Sequence, residues 1–212
     1  MVSGIGKVLV LAPHTDDGEL GCGGTMCKLI ESGCRVYYAA FSICEDSIPE
    51  GFEPEALLKE LYAATAELGL EEKDIFVLRN KVRRFNEVRQ DILEYMIKLR
   101  YEINPDWVFM PCSRALHQDH QVIHNEGMRA FKGYPCLGYD LPWDTFEFPS
   151  TSFNVLQERH VERKISALKM YKTQAHRGYV DADFIKSLAR VRGEQGHCRW
   201  AESFEVLRMI FR

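Results

Sequence analysis

The 212-residue sequence contains no run of 18 or more apolar residues, and this absence argues against a membrane-spanning helix. It also lacks a strong excess of charge of either sign, because it has 27 basic and 31 acidic residues and a formal net charge of −4. A chain balanced in this way is not expected to bind nucleic acid or an anionic membrane through its overall charge. Neither a membrane-spanning protein nor a broadly basic nucleic-acid-binding protein is therefore expected.

The seven cysteines include no Cys-x-x-Cys pair, are odd in number and are scattered along the chain. Because that pair is typical of structural zinc sites, we expect no cysteine-rich zinc site. The apolar run at residues 8–11 is too short for the core of a signal peptide. We therefore expect a cytoplasmic protein whose reduced cysteines pack as small hydrophobic side chains.

Strand-like and helix-like segments alternate along the chain. Short apolar runs predict buried strands, and apolar residues at helical spacing predict helices. The predicted strands are residues 8–11, 36–41, 75–78, 107–110 and 136–141, and the predicted helices are residues 25–32, 54–68, 87–102, 121–131, 158–172 and 183–192. Residues 142–149 predict an aromatic loop or hairpin, and residues 203–210 are a last apolar–polar segment. The alternation predicts a Rossmann-like three-layer α/β fold with a mainly parallel sheet, in one domain over residues 1–212.

Imidazole and carboxylate side chains follow two of the predicted strands. They are His14, Asp16 and Asp17 after the first strand and His117, Asp119 and His120 after the fourth. Because the carboxyl ends of parallel strands line the ligand-binding crevice, we expect both groups at the same edge of the sheet. Catalytic zinc usually takes three such ligands and leaves one position for water. The pattern therefore predicts a catalytic metal site.

The predicted ligands are His14, Asp17 and His120. His14 and Asp17 lie three residues apart at a strand-to-helix turn and can converge on one ion, and His120 can supply the third ligand. Asp16 then remains beside the metal as a candidate general base. His117 remains as a group that could stabilise an oxyanion or protonate a leaving amine. The structural alternatives are a helix cap in the first motif and a chance cluster of surface histidines in the second.

The glycines at positions 21, 23 and 24 offer a nucleotide-binding alternative. A dinucleotide fingerprint that begins at Gly21 would need glycine or alanine at the position of Met26. The carboxylates of Asp16 and Asp17 would also repel a pyrophosphate. We therefore interpret these glycines as allowing a tight turn and close packing of a helix on the sheet.

The motifs resemble those of the zinc-dependent LmbE/PIG-L deacetylases, which remove acetyl groups from N-acetylated sugars. Residues 13–18 and 20–24 stand in the places of the family's Ala-His-Pro-Asp-Asp-Glu and Leu-Gly-x-Gly-Gly, and residues 117–120 match its His-x-Asp-His. Residues 171–174 resemble its Tyr-x-Ser-Gln, and residues 200–204 resemble its Tyr-Ala-Glu-x-Phe. The resemblance thus covers essentially the whole chain.

The resemblance implies an LmbE/PIG-L-like fold and removal of an acetyl group from an N-acetyl sugar conjugate by zinc-activated water. It gives one zinc ion per chain, held by His14, Asp17 and His120, with Fe²⁺ or another divalent ion as the alternative. The expected partner is that small molecule, with no nucleic acid and no stable membrane insertion, and a homo-oligomer is compatible with the sequence. The functional alternatives are an amidase for a non-sugar N-acyl compound and an inactive metal-binding relative.

The resemblance also implies roles for the residues around the metal. Asp16 would be the general base, His117 the oxyanion stabiliser or acid, and Asp119 a partner that tunes His117. The sequence departs from the family at two positions, because Thr15 replaces a proline and Gly18 replaces a glutamate. The change at position 18 removes no ligand, but it puts metal affinity or substrate preference in question.

Several side chains are candidates for binding the substrate. Arg114 lies near the second motif and could contact an anionic group. Tyr139 and Trp143 follow the fifth strand and could form an aromatic wall for a sugar ring, with Asp140 and Asp144 for its hydroxyls. The alternative for Trp143 is a plug beneath the next loop. We therefore expect an N-acetylhexosamine with an anionic aglycone as substrate.

Three arginines, Arg79, Arg83 and Arg84, follow the third predicted strand. One interpretation is an anchor for a phosphate or carboxylate of the substrate. The other is a solvated face whose arginines pair with Glu87 or Asp91.

Overall fold

The computed structural model describes residues 5–210, which form a seven-stranded sheet covered by helices on both faces. The strands are β1 (Lys7–Ala12), β2 (Arg35–Ala40), β3 (Ile75–Val77), β4 (Trp107–Pro111), β5 (Cys136–Tyr139), β6 (Ser152–Leu156) and β7 (Trp200–Arg208). The helices are α1 (Asp17–Glu31), α2 (Ala56–Leu68), α3 (Arg89–Ile103), α4 (Gln118–Ala130), α5 (Glu158–Leu168) and α6 (Ala182–Gln195).

The strand order is β3-β2-β1-β4-β5-β7-β6. The first five strands in this order are parallel, and β7 runs antiparallel to both β5 and β6. The predicted three-layer α/β fold with a mainly parallel sheet is therefore confirmed. The antiparallel edge formed by β6 and β7 was not part of the prediction.

The central strand β1 shows why its apolar run is continuous. Val8, Val10 and Ala12 belong to the core on one face of the sheet, together with α1, α2, α5 and α6. Leu9 and Leu11 point into the core on the other face, against α3 and α4. Because side chains alternate between the faces of a strand and both faces are covered, every position from 8 to 12 must be apolar.

Two helices begin earlier than the sequence pattern predicts. Helix α1 begins at Asp17 rather than at residue 25, and α4 begins at Gln118 rather than at residue 121. Glycines weaken the helical signal of residues 17–24, yet α1 needs one of them to approach the sheet. A Cβ on Gly21 would lie 2.3 Å from the Tyr139 ring. The predicted close packing of the glycine segment on the sheet is therefore confirmed.

Helix α1 is interrupted at Cys22, whose φ of −145° is not helical. A buried ion pair supplies partners for the backbone at this break. The carboxylate of Glu202 accepts hydrogen bonds from the backbone N–H groups of residues 24 and 25, at 3.0 and 2.7 Å. Lys164 donates to the carbonyl of Leu20 at 2.6 Å and to Glu202 at 2.8 Å. The pair thus joins α5 and β7 to both halves of α1.

Within residues 5–210, no helix is long and apolar enough to cross a membrane. Six of the seven cysteines are buried, as expected for cysteines that pack as small hydrophobic side chains. The cytoplasmic location stays a prediction.

We predict that Glu202→Gln lowers the free energy of unfolding by about 3–5 kcal/mol, because it leaves the buried Lys164 without its charge partner. Urea denaturation measures this loss. Glu53→Gln is the matched control, since it breaks a pair with Lys59 in which both side chains are more than half exposed; its cost should stay below about 1 kcal/mol. Equal costs for the two variants would contradict a capping role for the buried pair.

Candidate active site

The two histidine motifs meet at the carboxyl ends of β1 and β4, which are neighbours in the sheet. Residues 13–16 form the turn between β1 and α1, and Asp17 is the first residue of that helix. His117 caps α4, because its Nδ1 accepts a hydrogen bond from the backbone N–H of Asp119 at 3.2 Å. His120 then lies in the first turn of α4.

Three donor atoms from these motifs converge on one point. His14 Nδ1 lies 3.1 Å from Asp17 Oδ2. His120 Nε2 lies 3.2 Å from the same oxygen and 3.3 Å from His14 Nδ1. Ligands about 2.0–2.1 Å from a tetrahedral zinc ion are about 3.3 Å from one another. The types of these donors and their spacing therefore fit a zinc-like divalent ion. His117 also lies here, since the three histidines have nitrogen atoms within 4.8 Å of one another.

The other nitrogen of each converging histidine faces a carboxylate. His120 Nδ1 lies 2.6 Å from Asp144 Oδ2, and His14 Nε2 lies 3.1 Å from Asp119 Oδ2. When these nitrogens carry the ring protons, the lone pairs of His14 Nδ1 and His120 Nε2 are directed to the shared point. This arrangement is typical of histidines that bind metal ions.

These contacts add to two predicted roles. The carboxylate of Asp119 lies against His14, while its backbone N–H bonds His117 and its negative charge opposes the lowering of the pKa of His117 by burial. Asp144 was expected to bind sugar hydroxyls; it lines the cavity, but its carboxylate contacts His120 and accepts the backbone N–H of His117 at 2.8 Å. The available signal for Asp144 was its position shortly after β5, whose carboxyl end lies at the same edge of the sheet.

The charges at the convergence point favour a cation. Burial lowers the pKa of His120, but the carboxylates of Asp17 and Asp144 outweigh burial and raise it to about 10. Burial likewise opposes ionisation of Asp17, but His120 and His14 hold its pKa well below the ordinary value. For Asp16, burial and the negative charge of Asp17 raise the pKa to about 6. A cation bound beside Asp16 would offset this effect.

A cavity of about 290 Å³ opens over the convergence point. Its wall includes Asp16, His117, Trp143, Tyr179, Arg83 and Arg177. The indole of Trp143 stacks on the ring of Tyr179, with 4.0 Å between ring centroids and an interplanar angle of 15°. The structure thus places Trp143 at the cavity, where the sequence predicted it.

Three other predicted contacts lie elsewhere. Tyr139 is fully buried beneath α1, where its hydroxyl donates to the carbonyl of Leu11 at 3.0 Å. Asp140 pairs with Arg192 at 2.5 Å, outside the cavity. Arg114 is exposed and does not line the cavity. The sequence signal was position near a strand end, which does not fix the direction of a side chain.

Gly18 stands where the resembled family has a glutamate, and the ring of Tyr38 occupies the space beside it. A Cβ on Gly18 would lie 2.4 Å from the Tyr38 ring, so position 18 has no room for a side chain. The hydroxyls of Tyr38 and Tyr171 both lie within hydrogen-bond distance of the Thr15 carbonyl and of the Glu19 carboxyl group. Burial raises the pKa of Glu19 to about 8. This buried network supports the turn that carries His14 and Asp17.

Comparison with known protein families gives one family match. The model of a family described as "PIG-L: GlcNAc-PI de-N-acetylase" matches residues 9–131, which is more than half of the chain and includes both histidine motifs. The chain is also similar to an Escherichia coli (strain K12) protein described as the uncharacterized deacetylase YaiS. The two sequences are 26% identical over 172 residues, which cover 78% of this chain and 90% of the relative.

Solved structures share the fold. The N,N'-diacetylchitobiose deacetylase from Pyrococcus horikoshii superposes with a TM-score of 0.77 and 20% identity over 96% of this chain and 84% of its own. The 4-carboxy-2-hydroxymuconate hydratase GalB from Pseudomonas putida KT2440 also gives a TM-score of 0.77, with 16% identity over 98% of each chain. Because a deacetylase and a hydratase both match, the fold alone does not determine the reaction.

Proposed function

The chain belongs to the GlcNAc-PI de-N-acetylase (PIG-L) family, and from that premise we propose that it is a metal-dependent hydrolase that removes the acetyl group from an N-acetylated amino sugar or sugar conjugate. The observation that carries the proposal is the convergence of His14 Nδ1, Asp17 Oδ2 and His120 Nε2 within 3.1–3.3 Å of one another. These three side chains would hold one Zn²⁺ per chain, with Fe²⁺ as the alternative.

The proposed ion and the residues around it would have different roles in amide hydrolysis. When bound, the ion would polarise the acetyl carbonyl and lower the pKa of a bound water toward about 7. Asp16 lines the same cavity and is the group that accepts the proton of the attacking water. Burial and the negative charge of Asp17 raise the pKa of Asp16 to about 6, while the positive charges of His14 and Arg177 oppose this shift and favour the ionised form that a general base requires.

His117 is suited to stabilise the oxyanion because of its tautomer. Its Nδ1 accepts the backbone N–H of Asp119, so the neutral ring carries its proton on Nε2. Burial and the neighbouring imidazoles of His14 and His120 lower its pKa, which favours this neutral form. The Nε2–H group can then donate to the carbonyl oxygen as negative charge develops there. The leaving amine receives its proton from Asp16, which has taken it from the attacking water, because a neutral His117 is not an acid strong enough to protonate an amine.

We predict that the purified protein contains about one equivalent of divalent metal per chain and that His120→Ala loses it, because the variant lacks one of the three ligands. Elemental analysis measures the content. His124→Ala is the matched control: His124 lies one turn further along α4 and hydrogen-bonds the Pro111 carbonyl at 2.9 Å, so its removal should leave the metal in place. Full metal retention by His120→Ala would contradict the assignment of His120 as a ligand.

We predict that Asp16→Asn keeps the metal but lowers kcat by about 10²–10⁴-fold, because an amide cannot accept the proton of water. His117→Ala should also keep the metal and lose about 10²–10³-fold in kcat, the effect of removing one oxyanion donor. Paired measurements of metal content and kcat separate catalytic groups from ligands. A variant with normal metal content and wild-type kcat would remove its residue from the mechanism.

We predict a higher kcat/KM for acetate release from N-acetylglucosamine glycosides than from acetyl-lysine peptides. The reason is the aromatic wall at Trp143, since the C–H faces of a sugar ring pack on aromatic rings. Acetate release also distinguishes deacetylation from addition of water to a double bond. A preference for the peptides would overturn the sugar assignment and favour the amidase alternative, and an absence of acetate release from any N-acyl compound would favour an inactive relative.

A further inference from the structure

The three arginines that follow β3 have different surroundings. Arg79 donates to two glutamates at 2.6 and 2.5 Å, and Arg84 donates to Glu87 at 2.6 Å. Both are therefore paired, as in one of the two sequence interpretations, although the partners of Arg79 are Glu45 and Glu55 rather than Glu87 or Asp91. Arg83 differs, because its guanidinium pairs with no carboxylate of residues 5–210 within 4.0 Å, and it lines the cavity over the candidate metal ligands.

The backbone of Arg83 is connected to the candidate ligand His14 through the carboxylate of Asp119. Its N–H donates to Asp119 Oδ2 at 2.6 Å, and the same oxygen lies 3.1 Å from His14 Nε2. Its φ of +66° lies in the left-handed region, which costs a residue other than glycine about 1–2 kcal/mol. The hydrogen bond to Asp119 therefore holds the backbone of Arg83 in an unfavourable conformation. The carboxylate of Asp119 lies between this backbone and the imidazole of His14.

Arg83 also lines a second cavity. This cleft of about 350 Å³ is lined by Asp46, Lys81, Val82, Arg83, Arg84 and Glu87. Val82 and Arg83 line both this cleft and the cavity over the candidate metal ligands. An aglycone that extends from the metal ligands as far as Arg83 would thus lie at the border of the second cleft.

The other cations of the second cleft pair with carboxylates, since Lys81 Nζ lies 3.4 Å from Asp46 and Arg84 is paired with Glu87. In the main cavity, the guanidinium carbon of Arg177 lies 5.6 Å from the centre of the Tyr179 ring, and within residues 5–210 Arg177 also pairs with no carboxylate. Arg83 differs from Arg177 because it lines both cavities. Arg83 is therefore the unpaired arginine that an anion at the border of the two cavities would meet.

We infer that Arg83, which lines both cavities, anchors an anion-binding subsite for a phosphate or carboxylate on the aglycone of the substrate. The planar fork of a guanidinium binds either anion through two hydrogen bonds. The inference rests on the proposed function, because it takes the metal ligands as the place of the acetyl group. Of the arginines that the sequence offered for an anion, it selects Arg83 over Arg114, which does not line the cavity.

The kinetic test compares three glycosides of N-acetylglucosamine, whose aglycones carry a phosphate, a carboxylate or only a methyl group. Arg83→Gln keeps the backbone N–H that bonds Asp119 and removes only the charge. We expect it to lower kcat/KM for the better anionic glycoside by about 10–100-fold, the effect of a hydrogen bond to a charged group. Its kcat/KM for the methyl glycoside should stay within about twofold of wild type.

Arg79→Gln is the matched control, since it removes an arginine of the same cluster that is paired with two glutamates and lines neither cavity. It should leave kcat/KM for all three glycosides within about twofold of wild type. An equal loss on the methyl glycoside in Arg83→Gln, or an equal loss of anion preference in Arg79→Gln, would overturn the assignment of the subsite to Arg83.

A binding experiment separates this inference from the proposed function, because it needs no turnover. Calorimetric titration compares glucose 1-phosphate and the glucoside of glycolic acid with methyl glucoside, none of which carries an acetyl group. Tighter binding of either anionic ligand by the wild type, lost in Arg83→Gln, supports the subsite even when no acetyl sugar is hydrolysed. Equal binding of all three ligands overturns the subsite, while hydrolysis of the neutral N-acetyl glycoside would still support the proposed function.

Discussion

The arrangement of the site depends on the contact between two imidazoles and two carboxylates. His14 and His120 each direct one ring nitrogen to Asp119 or Asp144 and the other to a shared point beside Asp17. An imidazole without such a partner could rotate or exchange tautomers, and its lone pair would have no fixed direction. The fold meets this requirement with backbone elements that are distant in sequence, since the partners follow β1, β4 and β5. A parallel sheet brings these elements to one edge.

The parts of the fold that could be predicted are those whose signal is local. Strand β1 is apolar at every position because it is buried on both faces, and this pattern can be read without a partner. The first half of α1 has no such signal, because Glu202 and Lys164 stabilise its break from 178 and 144 residues away. The strands β6 and β7 lie at a partly exposed edge, where the apolar pattern is weaker. Their antiparallel pairing could therefore not be anticipated.

The same difference applies to the candidate site. Motif spacing was sufficient to select His14, Asp17 and His120 as residues that meet. It could not select the partners of the histidines, because Asp144 reaches His120 through an irregular loop whose path is set by tertiary packing. Likewise Tyr139 and Trp143 lie four residues apart, yet one is buried beneath α1 and the other borders the cavity. Proximity to a strand end places a residue at the site only when the direction of its side chain is also known.

The hydrogen bonds from α1 to Glu202 of β7 have a consequence for the order in which the protein folds during synthesis. The turn with His14 and Asp17 leaves the ribosome before β7, but the carboxylate that completes the following helix belongs to residue 202. Contacts of such long sequence separation form late, because the chain between them must first be ordered. A nascent chain that ends before β7 would carry both histidine motifs, but α1 would lack the carboxylate that stabilises its break. We therefore expect the proposed metal site to be completed only after β7 has been synthesised, rather than when the motifs emerge.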